Sequence, residues 1–256
     1  MAENKEVYHM AFLTLHVRSN ALDLNTTVNV ILPQDIKKDE KLKVLYLLHG
    51  YIGDHTDWMR YTSIERYSWN YRLAIVMPAV NNSYYMDTVS GLNYFTYISK
   101  ELPELVTSLL PISSKREDQY VAGLSMGGYG ALKIALTYPD RFAKAASLSG
   151  ALDIDEIRKI ASDQPRNLWF DAVFGMKPIQ NTTNDMKYLI DLHLKHNVEL
   201  PDLYVACGTE DFLYKDNIAF RDFLIDRNVK HLYEESPGAH DWAFWDTYIQ
   251  KVLAWL

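Results

Sequence analysis

Apolar and polar residues alternate through VYHMAFLTLHVRS (7–19) and again through NTTVNVILP (25–33), with a polar turn between them. That period of two predicts an antiparallel hairpin. From residue 43 the pattern changes. KVLYLLHG (43–50), LAIVMP (73–78), QYVAGL (119–124), FAKAASLSG (142–150) and DLYVACG (202–208) are short, nearly unbroken apolar runs, followed by KHLYEE (230–235). Such runs belong to strands covered on both faces. Segments of helical period separate them: DWMRYTSIERYSWN (57–70), YFTYISKELPELVTSLLP (94–111), the stretch after Ser125, one near 214–228, and a closing helix from about 241. Strands alternating with helices predict a mostly parallel sheet with helices on both faces.

Residues 151–200 break this rhythm. DIDEIRKIAS, RNLWFDAVFG and NDMKYLIDLHLKH read as short helices with no strand among them. At that length the segment is an insertion in a single α/β domain spanning 1–256, placed as a partial cap over the carboxyl ends of the strands, where open α/β sheets bind ligands. The expected fold class is the α/β-hydrolase fold: a mostly parallel central sheet, an N-terminal antiparallel hairpin, helices on both faces and this small helical insertion.

One serine stands out. Ser125 lies among four glycines in QYVAGLSMGGYGALKIAL (119–136), between a strand-like and a helix-like run. Gly123-Leu124-Ser125-Met126-Gly127 fits G-x-S-x-G, the strand-turn-helix elbow that thrusts a nucleophilic hydroxyl into the open. Its place at a helix N-terminus aims backbone N–H groups, that of Met126 above all, at negative charge developing on a substrate oxygen. A serine hydroxyl needs a base. Of eight histidines, His240 in ESPGAHDW follows the last strand and precedes the last helix, where the order Ser, Asp, His puts it. The orienting acid should close the preceding strand, and GTED (208–211) offers Asp211, with Glu210 as rival and Asp216 and Asp241 behind them; Asp241 reads better as an N-cap. A second oxyanion donor is expected from the loop LLHGYIGDHTDW (47–58), at the N–H of Tyr51. Tyr84, Tyr85, Trp169, Phe170, Trp242 and Trp245 are candidates for the wall of a shallow acyl pocket.

Composition narrows the partners. The formal charge of −7 is spread along the chain and the basic residues form no cluster, which argues against nucleic acid. The opening MAENKEVYHM has no apolar stretch of signal-peptide length and no run is long enough to span a membrane, so a cytoplasmic protein is expected. The single cysteine, Cys207, forms no internal disulfide, and Asp54, His55 and Asp57 match no common metal-ligand spacing, so neither a metal nor a cofactor is expected. The acidic, aromatic-rich composition permits a homo-oligomer.

LYLLHGYIGDHTDW, SKREDQYVAGLSMGGYGALKIALTYPDRFAKAASLSGAL, CGTEDFLY and GAHDW together resemble the bacterial tributyrin-esterase branch of the esterase D family, over about residues 43–250. That family also includes S-formylglutathione hydrolases, some feruloyl and acetylxylan esterases, and the antigen 85 acyltransferases. The resemblance implies a serine carboxylesterase acting on acetyl to butyryl esters, among them acetylated sugars, with Ser125, Asp211 and His240 as triad and the N–H groups of Tyr51 and Met126 as oxyanion hole. A thioesterase, a feruloyl-type esterase or an acyltransferase would use the same triad. Two departures point away from a glutathione thioester: Tyr51 stands where relatives commonly have leucine, and no cysteine-bearing loop follows Gly50.

Overall fold

The computed structural model describes residues 8–160 and 166–256. The alternating segments form the hairpin β1 (Met10–Ser19) and β2 (Leu24–Pro33), paired antiparallel from Met10↔Pro33 to Ser19↔Leu24. The apolar runs become β3 (Lys43–Leu48), β4 (Leu73–Pro78), β5 (Gln119–Leu124), β6 (Lys144–Leu148) and β7 (Asp202–Gly208), and β8 spans His231–Ser236. One eight-stranded sheet runs in the order β1-β2-β4-β3-β5-β6-β7-β8. β2 pairs antiparallel with β4, and from β4 to β8 every pairing is parallel. The expected α/β-hydrolase architecture is what the chain adopts.

The pleat divides the core. Val44, Tyr46, Leu48 and Val121 face one layer, which includes the helices Met126–Thr137 and Met186–Lys195. Leu45, Leu47, Ile75 and Ala122 face the other, where Trp58, Ile64 and the C-terminal helix Trp242–Trp255 pack. Burial on both faces is why these strands carry no polar alternation.

Two predicted helices are interrupted, each for a local reason. The segment 57–70 is two helices, Asp57–Tyr61 and Ile64–Ser68. Between them the Thr62 hydroxyl donates to the Trp58 carbonyl at 2.5 Å and accepts the Ile64 N–H at 3.1 Å, so a side chain replaces the helical ladder. The segment 94–109 widens to a π turn at Tyr97–Glu101. Pro103 has no N–H to give the Ser99 carbonyl four residues earlier, and Arg141 Nη1 takes that carbonyl instead at 2.5 Å.

Helices Ile154–Ile160, Arg166–Phe174 and Met186–Lys195 form within 151–200, while residues 161–165 lie outside the described residues. The described parts of this segment divide between two places. Ile157 and Ile160 border the cleft described below, whereas Met186–Lys195 packs on Met126–Thr137. At the centre of the sheet β3 and β5 are neighbours whose chains leave in opposite directions, β3 toward β4 and β5 toward β6. Such a switch point opens a crevice at the carboxyl ends of the strands.

Candidate active site

Ser125 follows β5 at that crevice with φ 52° and ψ −116°, a region that costs a non-glycine residue about 1–3 kcal/mol. Three hydrogen bonds hold it there. Its N–H donates to Leu148 O at 2.9 Å, and its carbonyl accepts the N–H groups of Tyr129 and Ala151, each at 3.1 Å. The turn also needs a bare backbone at 127, where a Cβ would come within 2.5 Å of the Leu48 carbonyl oxygen and 2.6 Å of that of His49.

His240 comes from the loop after β8, and its Nε2 lies 2.9 Å from Ser125 Oγ. Its Nδ1 lies 2.9 and 3.0 Å from the two carboxylate oxygens of Asp211, in the loop after β7. Asp211 is buried and also accepts the Leu213 N–H at 2.8 Å, so the carboxylate is fixed before it meets the imidazole. Glu210 is used differently. It reaches the Gly238 N–H, tying the loop after β7 to the loop that carries His240. Asp241 caps the last helix by accepting the Phe244 N–H at 3.1 Å, as its position suggested. Asp216 sits on the helix Tyr214–Asp226, away from the imidazole's hydrogen bonds.

The imidazole is also clamped on its faces. Trp245 meets it edge-on, with centroids 4.9 Å apart at 90°, and Phe212 lies 4.6 Å away. Trp245 is anchored in turn by Nε1 donating to Ser149 Oγ at 3.1 Å. Sequence reasoning did not single out Phe212 or Ser149. Phe212 could have been found from its place directly after Asp211; Ser149 carries no local signal, since its role depends on a residue 96 positions away.

The loop after β3 shows how a peptide plane is set. Val80 N–H donates to His49 Nε2 at 3.1 Å, so the proton of this buried ring sits on Nδ1, which donates to the Gly50 carbonyl at 2.8 Å. Gly53 N–H reaches the same carbonyl at 3.2 Å. In a trans peptide the following N–H points the opposite way, so pinning Gly50 O aims the N–H of Tyr51 away from His49. Likewise, with Ser125 O directed along the helix, the N–H of Met126 points out of the helix N-terminus.

Burial lowers the His49 pKa from 6.5 to about 4. The unfolded chain therefore takes up a proton near pH 6.5 that the folded protein refuses until about pH 4. The stability that neutral His49 contributes is complete above pH 6.5 and is lost as pH falls through 4, by about 3 kcal/mol in all. Urea denaturation between pH 7 and 4 is expected to show this loss, and a His49→Asn variant to show a shallower one.

Ser125 and His240 open on a cleft of about 580 Å³. Of the predicted wall residues, Tyr84, Trp242 and Trp245 line it together with Tyr51. Tyr85, Trp169 and Phe170 stand behind the wall instead. Tyr85 is fully buried, with its hydroxyl on the His49 carbonyl at 2.8 Å. Trp169 packs against Tyr51 at 5.1 Å, and Phe170 against Tyr84 at 5.6 Å, both as supports from the helix Arg166–Phe174. Tyr61 was missed: its ring stacks on Trp242 with centroids 4.9 Å apart, a pairing across 181 positions that the pattern of 57–70 does not reveal.

The family model described as "Putative esterase" matches residues 19–256. The chain belongs to that esterase family. It is 37% identical to an acetyl esterase of Caldicellulosiruptor saccharolyticus, over 96% of this chain and 98% of the relative. A substrate-bound fluorophosphonate-binding serine hydrolase of Staphylococcus aureus superposes with a TM-score of 0.89 at 38% identity, covering 96% of this chain and 98% of that one. An S-formylglutathione hydrolase structure from Staphylococcus aureus gives 0.88 at 38%, with the same coverage. The protein is a serine carboxylesterase. No helix among the described residues of the esterase is long and apolar enough to cross a membrane.

Proposed function

We propose that the esterase hydrolyses short-chain acyl esters, acetyl to butyryl, of which tributyrin and acetylated sugars are examples, through an acyl-enzyme on Ser125. The observation that carries this reading is the hydrogen-bonded series Ser125 Oγ, His240, Asp211 opening directly on a cleft of about 580 Å³. As Ser125 Oγ attacks the ester carbonyl carbon, His240 Nε2 takes its proton, and Asp211 holds Nδ1–H and stabilises the imidazolium. The N–H groups of Tyr51 and Met126 receive the oxyanion. Collapse of the tetrahedral intermediate breaks the bond to the alcohol oxygen, which leaves with the proton from Nε2. Water then attacks the acyl-enzyme with His240 as base, releasing the acid and restoring Ser125.

The size of the acyl group follows from the wall. Tyr84 is buried and backed by Trp169, Phe170 and Phe174 at 5.4–5.6 Å, a packed aromatic layer that a long chain would have to displace. The acetyl esterase relative supports the short end of the range. On p-nitrophenyl acetate, butyrate, octanoate and palmitate, kcat/KM is expected to peak at two to four acyl carbons and to fall by about 100-fold or more at palmitate, since displacing packed side chains costs about 1–3 kcal/mol each. A maximum at octanoate or beyond would overturn the short-chain reading. A thioester substrate is the second reading, favoured by the likeness to the S-formylglutathione hydrolase structure.

A further inference from the structure

Among the described residues the cleft is lined by two aspartates, Asp57 and Asp241, and by no lysine or arginine. Asp241 is committed to its helix cap. Asp57 is not. It opens the short helix Asp57–Tyr61, but that turn is already served by Asp54, whose Oδ1 accepts both the N–H and the hydroxyl of Thr56 at 2.7 and 2.6 Å. The Asp57 carboxylate folds back over Gly53, where a Cβ would fall 2.0 Å from Oδ2. Its protein partner there is the backbone N–H of Asp54. Among the described residues no ion pair joins it; the Arg60 guanidinium lies over the Tyr61 ring, 5.2 Å from its centre, and attracts the carboxylate only through space. Partial burial with so little compensation raises its pKa above the ordinary 3.8. The esterase therefore keeps in its cleft a partly buried carboxylate whose named hydrogen bond is to one backbone N–H, that of Asp54, and which no ion pair among the described residues engages.

Its position gives it a task. Whatever leaves must take a proton from His240 Nε2, so the leaving group lies on the side of His240. Trp242, two residues on, forms that side with Tyr61 stacked upon it. Asp57 and Tyr61 are four residues apart on one helix and share a face. We propose that Asp57 is a specificity-determining residue, whose carboxylate beside the Tyr61–Trp242 pair selects esters and thioesters with a hydroxyl- or ammonium-bearing leaving group and rejects anionic ones. A hydroxyl or a protonated amine can donate to the carboxylate's remaining lone pairs, a quaternary ammonium can offset its charge, and the carbon skeleton of either covers the aromatic pair. A carboxylate there meets a like charge in a partly desolvated wall where, among the described residues, the exposed Arg60 offsets it only through space. Glutathione, with two carboxylates, is disfavoured on this ground.

The inference rests on the esterase reading, and its test separates the two. The probes are S-acetyl thioesters of thiocholine, 2-mercaptoethanol and 3-mercaptopropionate, which share one acyl-enzyme and differ in leaving-group charge. Thiol release gives kcat/KM, which reports acylation, and each value is divided by the rate of uncatalysed hydrolysis. At low salt the neutral probe is expected to exceed the anionic one by about tenfold, and the cationic probe to match or exceed the neutral one, with both gaps narrowing toward 0.5 M salt, where screening acts within about 4 Å. In Asp57→Asn and Asp57→Ala the neutral-to-anionic ratio falls to within about twofold, while Asp57→Glu retains most of it. The ratio is internal to each variant, so a general loss of activity does not mimic the effect, and the salt dependence of the wild type reads the same charge if a variant does not fold. A wild-type ratio near one, or a ratio unmoved by removing the charge, overturns the role of Asp57 and leaves the esterase reading standing. A wild type that cleaves neither these probes nor p-nitrophenyl acetate overturns both.

Discussion

Ser125→Ala is expected to lower kcat/KM on p-nitrophenyl acetate by about 10⁵-fold, and Asp211→Asn by about 10⁴-fold. The two losses have different causes. Alanine removes the atom that would carry the acyl group, so no acyl-enzyme forms, and a fluorophosphonate probe should add no mass to the variant. Asparagine leaves the nucleophile in place. Its amide can present an N–H to His240 Nδ1, which favours the tautomer with the proton on Nε2, the nitrogen now 2.9 Å from Ser125 Oγ. That nitrogen then cannot accept the serine proton, and labelling should proceed, but slowly. Because the residues act as one unit, the double variant should be no slower than Ser125→Ala alone.

Glu210→Gln separates this from a general effect of charge near the histidine. Glu210 holds the Gly238 N–H and is exposed, whereas Asp211 is buried and bonded to the imidazole. Glutamine keeps an acceptor for Gly238, so kcat/KM should stay within about threefold of wild type. A loss in Glu210→Gln comparable to that in Asp211→Asn would mean that the acid had been assigned to the wrong neighbour.

The strands, and the meeting of Ser125, Asp211 and His240 at their ends, were legible because each rests on a short-range signal. A run such as LAIVMP has one stable placement, between two covered faces, and the order of serine, acid and histidine follows the order of the strand ends that carry them. What the sequence concealed depends on partners far along the chain. The carbonyl that Pro103 leaves unpaired is found by Arg141, and the ring beside His240 is anchored by Ser149. Aromatic residues were the least legible. Tyr84 and Tyr85 are adjacent, both have positive φ, and both are buried, yet one lines the cleft and the other turns beneath the His49 carbonyl. Period and composition treat two such tyrosines alike; only the surrounding packing separates them.

Lys133 belongs to the same concealed class. In YGALKIAL it reads as the polar position of a helix, but every residue from Met126 to Leu136 is buried, Lys133 included. Its Nζ lies 2.6 Å from Met86 Sδ and 4.3 Å from the centre of the Phe95 ring. Asp87 attracts it only through space, while its own carboxylate is engaged by the N–H and hydroxyl of Thr96. Burial lowers the Lys133 pKa from 10.5 to about 7. At neutral pH the unfolded chain binds this proton far more tightly than the folded one, which costs the native state about 4 kcal/mol. Lys133→Met keeps an unbranched chain of similar length and removes that cost, so the variant should be more stable at pH 7 by about 2–4 kcal/mol in urea denaturation. The sign can be checked by raising the pH. The folded pKa lies below the unfolded one, so the wild type regains stability between pH 7 and 10.5 and the gap to the variant closes over that window. An equal gap at pH 7 and pH 10 would show that the gain came from packing rather than from the buried charge.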